Sequence, residues 1–138
     1  HIRGAFKAIK KECFEDIGGF REIRNWDGVD ELDAIRKGWL THVFNLPVFH
    51  FKPTSSKYDP LVMSKLSGTE AYKMRSSPLL VLLRGLSYIS KSPKFLYTIT
   101  YFKSYILAFI SRERAILEKD LSNFINNFHI KRILKLSF

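Results

Sequence analysis

Residues 52–60 gather Pro53, Thr54, Ser55, Ser56 and Pro60, and the hydrophobic pattern changes character on either side of them. A proline ring fixes its own backbone and removes a donor, so two of them flanking small hydroxyl residues make a loop, not a helix interior or a central strand. Upstream, short apolar runs alternate with glycine stops, the punctuation of mixed α/β structure. Downstream, helical spacing continues to the end, interrupted at Pro78 and Pro93. The expected organisation is an α/β part over residues 1–60 followed by a mainly α-helical part over residues 61–138.

Within the first part, Ile2 to Ile9 mixes small and apolar residues with Lys7 and is expected to form a buried strand ending at Lys10-Lys11. Cys13, Phe14 and Ile17 then fall at helical spacing. Gly18-Gly19 stops that helix, because glycine takes the left-handed conformation at little cost. Asn25 or Asp27 can cap a second helix, with Val29, Leu32 and Ile35 on one face and Gly38 at its end. Trp39 to Phe51, with Val43, Phe44, Leu46, Val48 and Phe49 around Pro47, reads as one or two short strands. In the second part the predicted helices are Gly68 to Ser76, Leu79 to Ser90, Pro93 to Ser111, and Arg112 to Leu136 with a break near His129.

Charge separates the two parts further. The formal net charge is +10, and residues 76–138 carry 10 basic against 3 acidic groups, so this tail supplies +7 of it. A basic, aromatic-rich tail suits a polyanionic surface, either nucleic acid or anionic lipid. Zinc-finger, helix-turn-helix and RNP-type patterns are missing, and the cations are interleaved with large apolar residues, so membrane ranks above nucleic acid. Phe95 to Ser111 contains Lys103 and falls short of the ~20 apolar residues a crossing helix needs. From Leu117 onward Leu121, Phe124, Ile125 and Phe128 recur at helical steps among Lys119, Lys131, Arg132 and Lys135. That is either a helix packed on the rest of the protein or a basic amphipathic helix on a membrane. The single Cys13 cannot form an internal disulfide and no leader pattern opens the chain, so a cytoplasmic setting is expected. The chain starts at His1 directly in patterned sequence, and the natural protein is expected to extend upstream.

Three strings follow in order: RGAFKAIKKECFEDIGGF, WDGVDELDAIRKGW and LPVFHFKP. Together they resemble the acceptor-side half of a family 2 glycosyltransferase of GT-A fold. The helical continuation, with Gly68, Tyr72, Pro78-Leu79, Arg84-Gly85-Leu86 and Pro93, resembles bacterial members that build surface polysaccharides. The resemblance implies an α/β fold, the second half of a Rossmann-like nucleotide-sugar transferase domain. It also implies transfer of a sugar, of hexosyl type, from a nucleotide-diphospho-sugar donor to a glycan or lipid-linked acceptor at the inner face of the cell membrane. A carboxylate must take the proton from the acceptor hydroxyl. Counting back from Gly38 puts that base at Asp27; matching the adjacent acidic pair puts it at Asp30 or Glu31, and the pair is preferred. The resemblance further implies that His50 completes a metal or diphosphate site, with Lys52 adding charge, and that Gly4 and Ala5 lie under the acceptor, while Trp26 and Trp39 are candidates for stacking on a sugar face. A divalent cation, Mg or Mn, would be held mostly by an upstream half, without which this fragment would be inactive.

Plainer readings stand beside these. Singly, Asp27, Asp30 and Glu31 are what any helix N-terminus favours, His50 and Trp39 are ordinary core residues, and Cys13 is packing. The competing functional class is a non-enzymatic basic helical module that binds anionic membrane or nucleic acid through residues 76–138.

Overall fold

A computed structural model describes residues 7–24, 26–45, 47, 59–89, 93 and 95–134. The chain divides into two compact units, His1–Phe49 and His50–Phe138.

The first unit is built on two helices, α1 (Lys11–Asp16) and α2 (Trp26–Arg36). The glycines end them as the sequence requires. Gly18 and Gly19 sit at φ +78° and +82°, and Gly38 at +89°. The turn at Gly38 lets Trp39 N–H reach back to the Ala34 carbonyl at 2.9 Å, which satisfies an orphaned carbonyl of the last turn. Cys13 of the first helix and Ile17, which caps its end, meet Ala34 of the second in a small core, flanked by Ile9 and Trp39.

The α/β expectation is overturned. Among the described residues there is no strand and no sheet, so they do not form the partial GT-A fold that the resemblance implied. Lys7–Lys10 and 39–45 are irregular; residues 1–6, 46 and 48–51 lie outside the described set. Leu40 is 99% exposed and Phe44 74%, and Phe44 makes an edge-on ring contact with His42 at 4.8 Å. Apolar residues in a short run make a strand only when a neighbour pairs its backbone and a core takes one face. Among the described residues neither is present.

The second unit holds α3 (Pro60–Lys73), α4 (Pro78–Ser87), α5 (Leu96–Ile110) and α6 (Lys119–Ile133). Pro60 and Pro78 do not interrupt helices here; each opens one at the first position, where the missing N–H is no loss. The caps sit just before them. Asp59 accepts from Leu61 N–H at 2.7 Å, and Ser77 from Leu80 N–H at 3.3 Å. Helix α3 therefore begins well ahead of the predicted Gly68, Arg112 to Glu118 is a connection and not the start of the last helix, and α6 passes His129 unbroken.

Helices α3 and α5 cross closely because α3 turns Ser64, Gly68 and Ala71 toward its partner. A Cβ at Gly68 would stand 2.2 Å from the Tyr101 carbonyl oxygen. Ser64 Oγ donates to the Tyr97 carbonyl at 2.5 Å. Helix α4 lies on α5 at Gly85, against Phe102, and Thr98 Oγ1 donates to the Gly85 carbonyl at 3.3 Å. Asn126 of α6 holds the α3–α4 turn from both sides. Its Nδ2 donates to Arg75 O at 2.9 Å, and its Oδ1 accepts from Ser77 N–H at 3.0 Å.

Candidate functional site: a buried acidic cluster on α2

Helix α2 buries charge where a helix of this length ordinarily buries leucine. Asp30 and Asp33 are 0% exposed, and Glu31 is buried beside them. At a spacing of three, Asp30 and Asp33 share a face of the helix. Two arginines meet them there. Arg21, from the connection between the helices, puts Nη2 2.6 Å from Asp33 Oδ2, and Arg36, three residues further along the helix, donates from Nε and Nη2 to Asp33 Oδ1 at 3.0 and 2.8 Å. Asp33 is thus held on both oxygens by guanidinium groups.

Asp30 is in a different condition. Arg21 Nη1 comes only to 3.5 Å of its Oδ1, and neither carboxylate oxygen accepts a well-formed hydrogen bond. Its pKa lies above the ordinary carboxylate value. Burial disfavours the charge by more than Lys7 and Arg21 favour it, and Asp33 adds a push in the same direction as burial. An ionisable group with free lone pairs, fixed on a helix and raised in pKa, has the properties of a proton acceptor.

The remaining sequence-predicted residues fall as follows. Asp27 is half-buried in the first turn of α2, and its carbonyl accepts from Lys7 Nζ at 3.1 Å. Trp26 opens the helix. One neighbour of its ring is Phe20, centroids 5.0 Å apart, and Lys7 Nζ lies 5.6 Å from the ring centroid. Gly4, Ala5, His50 and Lys52 lie outside the described residues. Asp33, Arg21 and Arg36 lie outside the acidic pair of the motif. The spacing Asp30, Asp33, Arg36 was the available signal, whereas Arg21 reaches the cluster only through the turn that follows Gly18-Gly19.

The cluster does not fit a divalent cation. Both oxygens of Asp33 are taken by arginines, and Arg21 stands against Asp30, so a metal would meet positive charge. Among the described residues no three His, Cys, Asp or Glu side chains converge on a metal position. No family model, no curated protein and no solved structure matches the chain.

A second polar feature anchors the rim of this unit. Asp16, at the end of α1, accepts from Trp39 Nε1 at 2.9 Å, while Lys37 Nζ lies 3.2 Å from its Oδ1 and also donates to its carbonyl. These donors, Trp39 first and Lys37 second, hold the Asp16 pKa below the ordinary range. The contact ties the ends of the two helices together, which keeps the acidic face of α2 in a fixed orientation relative to α1.

Proposed function

We propose that this chain carries the acceptor-activating residues of a sugar-transferring enzyme, with Asp30 as the base. The supporting observation is the buried Asp30 carboxylate, whose two oxygens accept no well-formed hydrogen bond and whose nearest guanidinium nitrogen, Arg21 Nη1, stops at 3.5 Å. An acceptor hydroxyl can donate that hydrogen bond, and it reaches the carboxylate, which is fully covered here, when the cover over Asp30 opens. In the reaction its proton passes to Asp30, its oxygen forms the bond to the anomeric carbon, and the bond from that carbon to the nucleoside diphosphate breaks, the electron pair leaving with the diphosphate. A raised pKa suits the task, since a base of ordinary carboxylate strength is a poor match for a hydroxyl proton near neutral pH. The roles of the neighbours follow from their contacts. Arg36 fixes Asp33, Asp33 fixes Arg21, and Arg21 sets how far the Asp30 charge is compensated. The order of the glycine, acidic and proline-histidine strings is what gives this base a sugar acceptor as its substrate class.

The test is nucleoside diphosphate release by the complete gene product, with a panel of uridine-, guanosine- and thymidine-diphosphate sugars. Asp30→Asn abolishes release while donor binding persists, because a base acts in the transition state and not on the bound nucleotide. The amide also relieves the buried charge, so lost activity cannot be laid to unfolding. Wild-type turnover in Asp30→Asn refutes the assignment and moves it to Glu31 or Asp27; no release from any donor by the wild-type protein refutes the class.

A further inference from the structure

Helices α4 and α5 leave bare the faces on which a soluble helix places its charges. On α4 the exposed arc is Leu79, Leu82, Leu86 and Ile89, continuing into the turn after the helix. On α5 it is Leu96, Ile99, Ile106, Leu107 and Ile110, with Lys103 in its middle. At 3.6 residues per turn each set falls on one side of its helix.

The two arcs also face the same way. Tyr88, just past α4, touches Tyr97 and Tyr101 at 5.1 and 5.3 Å, Gly85 meets Thr98 and Phe102, and Val81 belongs to the cluster that Tyr105 packs on. As α4 is followed backward α5 is followed forward, so the helices are antiparallel. On each helix the bare arc lies next to the line of contact in the direction of the helical winding. In an antiparallel pair those directions converge on one side. Helix α3 packs on the opposite side of α5, along Tyr97, Tyr101 and Ser104.

We propose that this shared face of α4 and α5 rests in the surface of an anionic bilayer. The aliphatic side chains enter the acyl boundary, and Lys103, with Arg112 and Arg114 just beyond α5, meets headgroup phosphates. Charge complementarity selects this occupant. The acidic residues nearest these cations in sequence are Glu113, which pairs with Lys73 at 3.2 Å, and Glu118, four positions past Arg114, against three exposed cations within and beside the face. A second copy laid on the same face by a two-fold axis would bring each Lys103 toward the other, which is repulsive. A lysine inside an aliphatic stripe is suited to lipid, where the stem lies along the acyl chains and the ammonium reaches up to phosphate. Crossing is not involved, since no described helix is long and apolar enough to span a membrane. The proposal stands independently of the transferase reading, and lipid binding and sugar transfer are measured separately.

Co-sedimentation of the complete protein with vesicles tests it, comparing phosphatidylcholine alone with phosphatidylcholine containing phosphatidylglycerol. The expected result is binding to the anionic vesicles that weakens with salt. Replacing Ile99 and Ile106 together by Glu lowers it about 100-fold, and Lys103→Glu lowers it about fivefold or more. All three positions are exposed, so far-UV circular dichroism is unchanged. Val62→Glu, an exposed aliphatic of α3 away from the face, binds as wild type. Three results overturn the proposal: indifference of the wild-type protein to phosphatidylglycerol, undiminished binding by the double variant, or a wild-type dimer in sedimentation that the double variant dissolves.

Discussion

Asp33→Ala is the perturbation that most directly separates a structural clamp from a solvated helix face. The substitution removes an acceptor that takes three hydrogen bonds from two guanidinium groups, at 2.6, 2.8 and 3.0 Å. Each hydrogen bond to a charged group contributes about 1.5–3 kcal/mol, but the three share one carboxylate and do not add. Breaking a buried ion pair costs about 3–5 kcal/mol. The arginine side chains are 26% and 29% exposed and regain part of their hydration, so the lower end applies, about 3 kcal/mol. Both tryptophans of the chain, Trp26 and Trp39, lie in the first unit, whereas most of the helix lies in the second. Tryptophan fluorescence therefore reports the unit that contains the clamp, and far-UV circular dichroism mainly the other. With a urea m-value near ~1 kcal/mol/M for so small a unit, the fluorescence midpoint falls by roughly 2–3 M. Removing Asp33 also frees Arg21 for Asp30 and takes away a like charge, both of which lower the Asp30 pKa, so the acid limb of the pH–rate profile moves to lower pH in Asp33→Asn. An unchanged fluorescence midpoint, or an acid limb that moves upward, refutes the reasoning.

Further outcomes follow from the helical unit. Gly68→Ala places a methyl 2.2 Å from a backbone oxygen and destabilises by about 2 kcal/mol in thermal unfolding, the clash outweighing the ~1 kcal/mol helix gain; Gly85→Ala meets the far end of the Phe102 side chain, which, unlike backbone, can swing aside about its Cα–Cβ bond, and costs about 1 kcal/mol less than Gly68→Ala. Asn126→Ala leaves the Arg75 carbonyl and the Ser77 N–H without their partner and costs about 2 kcal/mol by the same measurement. Tyr101→Phe does the reverse. The Tyr101 hydroxyl is buried without a partner and its pKa is pushed up to about 12 by that burial, so removing it raises stability by about 1 kcal/mol.

What could be read from sequence divides by how local its cause is. The stops at Gly18-Gly19 and Gly38 were legible because a positive φ is a demand on one residue. Pro60 and Pro78 were legible as boundaries but not as helix starts, since that depends on Asp59 and Ser77 capping the turn that follows. Of the strands expected at Ile2 to Ile9 and Trp39 to Phe51, the described parts, residues 7–9 and 39–45, are irregular for a non-local reason: Val43 and Phe44 carry strand propensity, yet no described segment supplies an edge to pair with. In the candidate site, Asp30 and Glu31 were named from an acidic pair in a motif. Asp33 was one helical turn away and visible by spacing. The Arg21 contact to Asp33 spans twelve positions and passes through a glycine turn, which no periodicity encodes.

The two carboxylates that mark this unit respond to pH in opposite senses, and that opposition follows from their surroundings. Asp16 has a depressed pKa, so its contribution is present above the unfolded value of about 3.9 and is lost as pH falls through the lower folded value. Asp30 has a raised pKa, so the unfolded chain releases its proton first, and stability falls as pH rises from about 3.9 through the higher folded value. From these two groups alone the first unit is most stable near the ordinary carboxylate pKa and less so on either side. In urea titrations followed by tryptophan fluorescence, Asp30→Asn removes the decline on the alkaline side and keeps the acid one, whereas Asp16→Asn removes the acid decline and keeps the alkaline one. A base at position 30 thus has a measurable cost to the fold at the pH where it would act. Identical pH dependence in the wild-type protein and Asp30→Asn would mean that the carboxylate is solvated, and the argument for it as a base would fail with its burial.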